Sequence, residues 1–185
     1  MFDDLWYLAD EAEQNAERVY HRLTGGQADP AEFVRRRQVS RSRFRTLAER
    51  VRQTGTPYGV HTVVYRPSGE LLLVRHEGVG LWVLPGGEQQ ADESFREAAE
   101  RELAEEAGVR VDYEGLAYLT RVEFRCADHA AWGVMPVFAA LAETHDPSVS
   151  DPDDEISAAR WFAELPPDTR DRTDLRDWRA TALSS

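Results

Sequence analysis

Apolar positions divide the chain into two textures. At the start they recur at helical spacing, as Phe2, Leu5, Trp6, Ala9, Ala12, Ala16, Val19, Tyr20 and Leu23, which predicts an amphipathic helix. Gly25-Gly26 supplies its stop. Asp29-Pro30 has the form of an N-cap followed by proline at the first helical position. A second helical stretch is therefore expected to about Gln53, broken near Ser40, with Phe33, Val34, Phe44, Leu47 and Val51 available for packing. Residues 1–55 read as a helical extension, either a hairpin or a small subdomain.

At Thr56-Pro57 the pattern shifts to alternation and to β-branched and aromatic residues. Tyr58 to Tyr65 and Glu70 to Val74 flank a Pro67-Ser68-Gly69 turn and predict a hairpin. Further strands are expected at LWVL (81–84), Val109–Tyr113, Ala117–Arg125, Ala131–Leu141 and Ile156–Phe162. Helices are expected over about 91–107 and after Pro166-Pro167, the latter carrying Leu175 and Trp178. Strands with two helices to cover their faces imply an α/β sandwich over residues 56–185.

The chemistry concentrates on the first of these two helices. Each residue turns an α-helix by about 100°, so Glu102, Glu105 and Glu106 share one face. Carboxylates this close repel unless a cation sits among them, and hard divalent cations take oxygen ligands alongside substrate phosphates. Phe95, Ala99 and Leu103 form an i, i+4 apolar stripe suited to packing on the sheet. Gly87, Glu93, Arg101, Glu102, Leu103, Glu105, Glu106, Gly108 and Val109 fill the pattern G-x5-E-x7-R-E-(apolar)-x-E-E-x-G-(apolar) at every position.

That pattern resembles the Nudix box. The resemblance implies an α/β/α sandwich with a mixed sheet, here preceded by the N-terminal helical extension. It implies Mg²⁺, with Mn²⁺ as a substitute, held by Glu105 and Glu106. Glu102 serves as ligand or base, and the Gly87 carbonyl completes the shell. Glu93 and Arg101 take structural roles in orienting the loop and helix. Relatives often add a carboxylate from a later loop; the candidates are Glu143, Asp151, Asp153, Asp154 and Glu155, of which Glu155 is the choice. The implied activity is cleavage of a phosphoanhydride in a nucleoside diphosphate linked to another moiety. The alternatives are a nucleotide-sensing module without catalysis, or pyrophosphohydrolysis at RNA 5′ ends. Arg75 and Arg121 are candidates for gripping phosphate, against the plainer reading of surface ion pairs. Subfamily markers downstream of the box are missing, so the substrate class stays open beyond a nucleotide derivative.

Composition adds context. The formal charge is −12, and all 22 basic residues are arginine, which suggests a halophilic protein kept soluble in a salt-rich cytoplasm. Cys126 stands alone, consistent with a reducing interior. The acidic start is unlike a signal peptide, and no apolar run is long enough to span a membrane. Between Asp29 and Gly55 eight arginines face three acidic residues, a charge of +5 that leaves −17 elsewhere. Such a patch is compatible with nucleic acid, but pairing with acidic groups of the same chain or of a second subunit in a homodimer is favoured.

Overall fold

A computed structural model describes residues 4–25 and 29–184. In chain order its first elements are α1 (Asp4–Thr24), β1 (Ala31–Gln38), α2 (Arg41–Thr54), β2 (Val60–Tyr65), β3 (Leu71–His76) and β4 (Leu81–Val83). They are followed by β5 (Gly86–Gly87), α3 (Phe95–Glu106), β6 (Val111–Cys126), β7 (His129–Ala142), β8 (Ile156–Phe162) and α4 (Arg172–Ala182). Two compact units are present. One takes in the chain up to Gly59 with Tyr118–Pro136, and the other Val60–Ala117 with the chain from Val137 onward.

In the first unit α1 buries Leu5, Ala9, Ala12, Ala16 and Val19, the expected stripe. Phe2 of that stripe and Gly26 of its stop lie outside the described residues. The second helical stretch requires correction, because residues 31–38 are a strand and helix begins only at Arg41. Here β1 runs parallel to β6, from Ala31↔Tyr118 to Gln38↔Arg125. The Phe33 ring meets Tyr118 edge-on at 5.1 Å. Phe and Val tolerate strand as readily as helix, and a partner distant in sequence decides between them. The true helix start is Ser40, whose side chain accepts from the Arg43 amide at 3.2 Å.

The two helices run in the same direction rather than as a hairpin. Asp4 pairs with Arg45 at 2.9 Å, Asn15 donates to Val51 O at 2.9 Å, and Val19 touches Gly55. Gly55 closes α2 with φ 86°, and a Cβ there would lie 2.4 Å from Val19 Cγ2. Glycine is the residue that satisfies both demands.

In the second unit β2 lies between β7, parallel from His61↔Val137 to Tyr65↔Leu141, and β3, antiparallel at Tyr65↔Leu71. Antiparallel β4 and β8 both pair with β3. Leu71, Leu72, Leu73 and Val74 are all fully buried, so both faces of β3 are covered. On one face Leu103 of α3, with Ala107 just beyond it, joins Val64, Leu72, Val74, Val83, Val109 and Ile156. On the other, Trp178 of α4 meets Tyr65 at 5.9 Å. The α/β/α arrangement expected from the sequence is present.

Helix α3 starts at Phe95, later than the apolar pattern alone suggests, because Ser94 and Glu97 close a capping box. Ser94 accepts from the Glu97 amide at 3.1 Å, and Glu97 accepts from the Ser94 amide at 2.9 Å. Ser94→Ala should cost about 1 kcal/mol, read as a lower thermal midpoint, with Ser94→Asp retaining most of it. An unchanged midpoint in the alanine variant would show that the cap contributes nothing.

Candidate active site

The chain enters the site through a ribbon too narrow for side chains. Residues 86 and 87 pair antiparallel with the start of β2, as His61↔Gly86 and Val60↔Gly87. A Cβ on Gly86 would fall 2.3 Å from Val60 O, and one on Gly87 would fall 2.6 Å from Glu102 Oε1. The Glu102 carboxylate therefore lies where a side chain of residue 87 would be. Any larger residue at 87 pushes the carboxylate away or bends the ribbon.

Arg101 fastens the loop that follows to α3. Its guanidinium donates to Glu93 through Nε at 2.6 Å and Nη2 at 3.0 Å, and to Glu88 O at 3.0 Å. It also donates to Glu102 Oε1 at 2.9 Å and lies 3.5 Å from Glu105 Oε2. Glu93 further accepts from the Gln90 amide at 2.8 Å. The Arg101 hydrogen bonds hold the Glu93 carboxyl below its ordinary range, and the same contacts raise Arg101 further.

Glu106 is the most enclosed of the acidic residues in the box, only 7% exposed. Its Oε2 accepts from the Gly86 amide at 2.9 Å. Burial pushes its pKa up to about 8; the amide opposes this, while the charges of Glu102, Asp151 and Glu105 add to it. Burial also raises Glu102, against Arg101 and with help from Glu105 and Asp153. The turn before β8 supplies these outside charges. It is tied to the end of α3 by Ser148 N to Ala107 O at 2.7 Å and Ser150 N to Glu105 O at 2.9 Å.

The structure thus gathers Gly87, Glu93, Arg101, Glu102, Glu105 and Glu106. It does not bring Glu155 to them. That side chain is exposed and sits 3.4 Å from His76 Nε2. Asp151 and Asp153 are the loop residues whose charge reaches the box. Asp151 accepts from the amides of Asp153 at 3.1 Å, Glu155 at 2.7 Å and Ile156 at 2.9 Å. An Asp capping the turn five residues before a strand was the available sequence signal.

Arg75 pairs with Asp168 at 2.7 Å. Arg121, in the other unit, lies over the Trp132 ring at 3.8 Å and 3.5 Å from Glu123. His61 sits opposite Gly86, its Nδ1 shielded and without a hydrogen-bond partner among the described residues. Burial, aided by Arg170, lowers its pKa to about 4. Three arginines of the first unit meet acids there: Arg36 with Glu123 at 2.9 Å, Arg45 with Asp4 and Arg52 with Glu49.

These residues fit a hard divalent cation. The Glu102 and Glu106 carboxylates lie against a side-chain-free ribbon, and the more buried Glu106 cannot ionise readily without a positive partner. Among the described residues no three acidic, His or Cys groups are already gathered at ligating distance. Arg101 partly neutralises the cluster instead.

Stability should report this charge frustration. Between pH 4.5 and about 8 native Glu106 holds a proton that the unfolded carboxyl has lost, so its contribution falls as pH rises. Native His61 holds less proton than the unfolded imidazole between about 4 and 6.5, which acts oppositely. Above pH 6.5 Glu106 acts alone of the two. Metal-free protein should lose stability from there to pH 8, by at most about 1.4 kcal/mol per pH unit, and Glu106→Gln should flatten the loss. Denaturant midpoints across pH decide it; an equal slope in both proteins refutes the assignment.

Comparison with known proteins agrees with this geometry. Residues 55–181 match the family model of the NUDIX domain. A candidate 8-oxo-dGTP diphosphatase of Bacillus subtilis (strain 168) is 34% identical over 86 residues, 46% of this chain and 58% of that protein. A MutT-like protein of Streptomyces ambofaciens is 43% identical over 54 residues, 29% of this chain. The chain spans 58% and 35% of the lengths of these two curated relatives. The crystal structure of an ADP-ribose pyrophosphatase from Streptococcus suis 89-1591 shares the fold with a TM-score of 0.52 at 20% identity, over 70% of this chain and 94% of that one. So does the NUDIX domain of Shewanella oneidensis NrtR complexed with ADP ribose, with a TM-score of 0.52 at 23% identity, over 67% and 86%. With the family model covering most of its length and the box complete, the chain belongs to the Nudix family.

Proposed function

We propose that the chain is a Mg²⁺-dependent pyrophosphohydrolase that cleaves a phosphoanhydride bond in a nucleoside diphosphate linked to another group. The observation that carries this reading is the packing of the Glu102 carboxylate against Gly87, with Glu106 on the Gly86 amide. The name of the Bacillus subtilis relative, a candidate nucleotide diphosphatase, supports the reaction class. Hydrolysis is assigned to residues 56–185, in the cytoplasm, with 1–55 as an extension.

Glu102, Glu105, Glu106 and the Gly87 carbonyl would hold the cation. When bound, Mg²⁺ offsets phosphate charge and acidifies a coordinated water. Arg101 fixes the direction of Glu102 and shares its charge with Glu105. Glu102, half-buried and with raised proton affinity, is suited to act as ligand or proton acceptor. Asp153 is the loop carboxylate this geometry favours as a further base, ahead of Glu155. Arg75 would reach a substrate phosphate only by exchanging its Asp168 partner.

A panel of nucleoside triphosphates, ADP-ribose, dinucleoside polyphosphates, sugar nucleotides and triphosphorylated RNA, each with Mg²⁺ or Mn²⁺, tests the reading. Glu102→Gln and Glu105→Gln should lower kcat/KM by at least about 10²-fold while folding is retained. Turnover undiminished in both variants would sink the mechanism. Loss on Asp153→Asn but not on Glu155→Gln would select the loop residue.

Composition supports a second part of the proposal, that the working environment is salt-rich. The charge of −12 without lysine should make stability rise as KCl approaches molar levels. Unfolding midpoints indifferent to KCl would count against it.

A further inference from the structure

Four acids, Asp151, Asp153, Asp154 and Glu155, crowd into the five-residue turn before β8. Asp154 adopts φ 55° there, a left-handed value uncommon outside glycine. Asp153 is exposed, so its repulsion with Glu102 and Glu105 favours a turn swung outward. Among the described residues, the only basic side chain within ion-pair distance of these four acids is His76, whose Nε2 lies 3.4 Å from Glu155 Oε2. We infer that His76 is a positioning residue for the loop carboxylate: it holds Glu155, and through Glu155 keeps the turn set with Asp153 facing the box. The kinetic part rests on the hydrolase reading; the clamp itself does not.

A defect in the sheet places the ring. Strands β3 and β8 pair regularly from Leu71↔Phe162 to Arg75↔Ala158, but His76 lies opposite Ile156, so the register slips at Ser157. A bulge of this kind bends a strand and re-aims its side chains. Ser157 is exposed, and its hydroxyl donates to the Glu77 carboxylate. The Glu77 amide in turn donates to Glu155 O at 2.8 Å. A Cβ at residue 78 would fall 3.0 Å from His76 Cε1 and 3.3 Å from Nδ1, so Gly78 leaves the imidazole its room.

The surroundings also decide which ring nitrogen carries the proton. Nδ1 is shielded and has no hydrogen-bond partner among the described residues. A proton there would be a buried donor without an acceptor, so the neutral ring carries it on Nε2, the atom facing Glu155. Glu155 passes the restraint on. Its amide donates to Asp151 Oδ2 at 2.7 Å, and the Asp153 amide donates to Asp151 Oδ1 at 3.1 Å. Asp151 thus links the residue that His76 holds to the residue that faces the box. The near end of the turn is tied to α3 by Ser150 N on Glu105 O at 2.9 Å; His76 holds the far end.

Two measurements without substrate and one with it test the assignment. Long-range nitrogen–proton NMR spectra of the neutral ring should show His76 protonated on Nε2. His76→Ala and Glu155→Ala should each speed solvent exchange of the Asp153, Glu155 and Ile156 amides about threefold, the modest effect of one long contact to an exposed carboxylate. Exchange in β2 should not change. The double variant H76A/E155A should lose no more than either single one, since both remove the same contact. His76→Gln keeps a donor where Nε2 stands and Glu155→Gln keeps an acceptor, so both should exchange like the unaltered chain. With Mg²⁺ and a cleaved nucleotide, His76→Ala should lower kcat about threefold with KM unmoved, and His76→Gln should restore it. A proton on Nδ1 overturns the clamp. So does exchange unmoved by Glu155→Ala, a variant that leaves no cavity, or a double loss equal to the sum of the two. Faster exchange with unchanged kcat overturns the positioning of Asp153. If no nucleotide is hydrolysed, the hydrolase reading fails by itself, and the exchange and tautomer results still decide the clamp.

Discussion

Negative charge crowded onto the last turns of α3 is the constraint around which the second unit is arranged. Glu102 and Glu106 feel each other and Glu105, and the loop adds Asp153 beside Glu102 and Asp151 beside Glu106. In a partly dry setting that repulsion costs several kcal/mol if nothing answers it. The fold answers in part. Gly86 offers an amide to Glu106, and Arg101 spreads one positive charge over Glu93, Glu102 and Glu105. The residual deficit is one that a divalent cation can meet, and the proposed function draws on it. The same deficit explains why side chains are excluded from the ribbon. A Cβ at Gly87 would take the space the Glu102 carboxylate occupies.

The framing of the site follows from the same pressure. Arg101 reaches Glu88, Glu93, Glu102 and Glu105 because a guanidinium presents five donors in a rigid plane; an ammonium at that position reaches fewer. Apolar contacts hold this polar frame in place. Leu103 and Ala107 bury against Val64, Leu72 and Val74, so the carboxylate face of α3 cannot rotate away without opening the core. Ser94 and Glu97 fix where the helix begins, and therefore which residues reach the ribbon. Packing sets the orientation, and electrostatics makes that orientation chemically useful.

Legibility in the sequence tracked how local the cause was. The box could be read because its residues lie close in the chain and α-helical periodicity alone places Glu102, Glu105 and Glu106 together. Strands 2, 3 and 8 followed from β-branched alternation and from turn residues such as Pro67-Ser68-Gly69. Residues 31–38 could not be read in this way. Their conformation is decided by parallel pairing with Tyr118–Arg125, and Asp29-Pro30 imitates a helix start. The loop carboxylate was ambiguous for a similar reason. In Asp151–Glu155 the acids differ little in sequence, and only the turn around Asp151 separates those facing the box from Glu155.

The exclusive use of arginine has a physical counterpart beyond the site. Arg66 lies 4.1 Å over Trp161, Arg96 4.1 Å over Tyr113, and Arg121 3.8 Å over Trp132. Each also has a carboxylate partner: Glu70 at 3.1 Å, Glu100 at 2.7 Å and Glu123 at 3.5 Å. Salt weakens exposed ion pairs, since the screening length falls to about 3 Å at molar ionic strength. Stacking of a planar, weakly hydrated guanidinium on an aromatic face depends on contact area as well as charge, so more of it survives screening. Lysine would keep the ion pair and lose the planar stack. In a chain of net charge −12, arginine on aromatic rings therefore anchors the few positive charges in a form that added salt disturbs least.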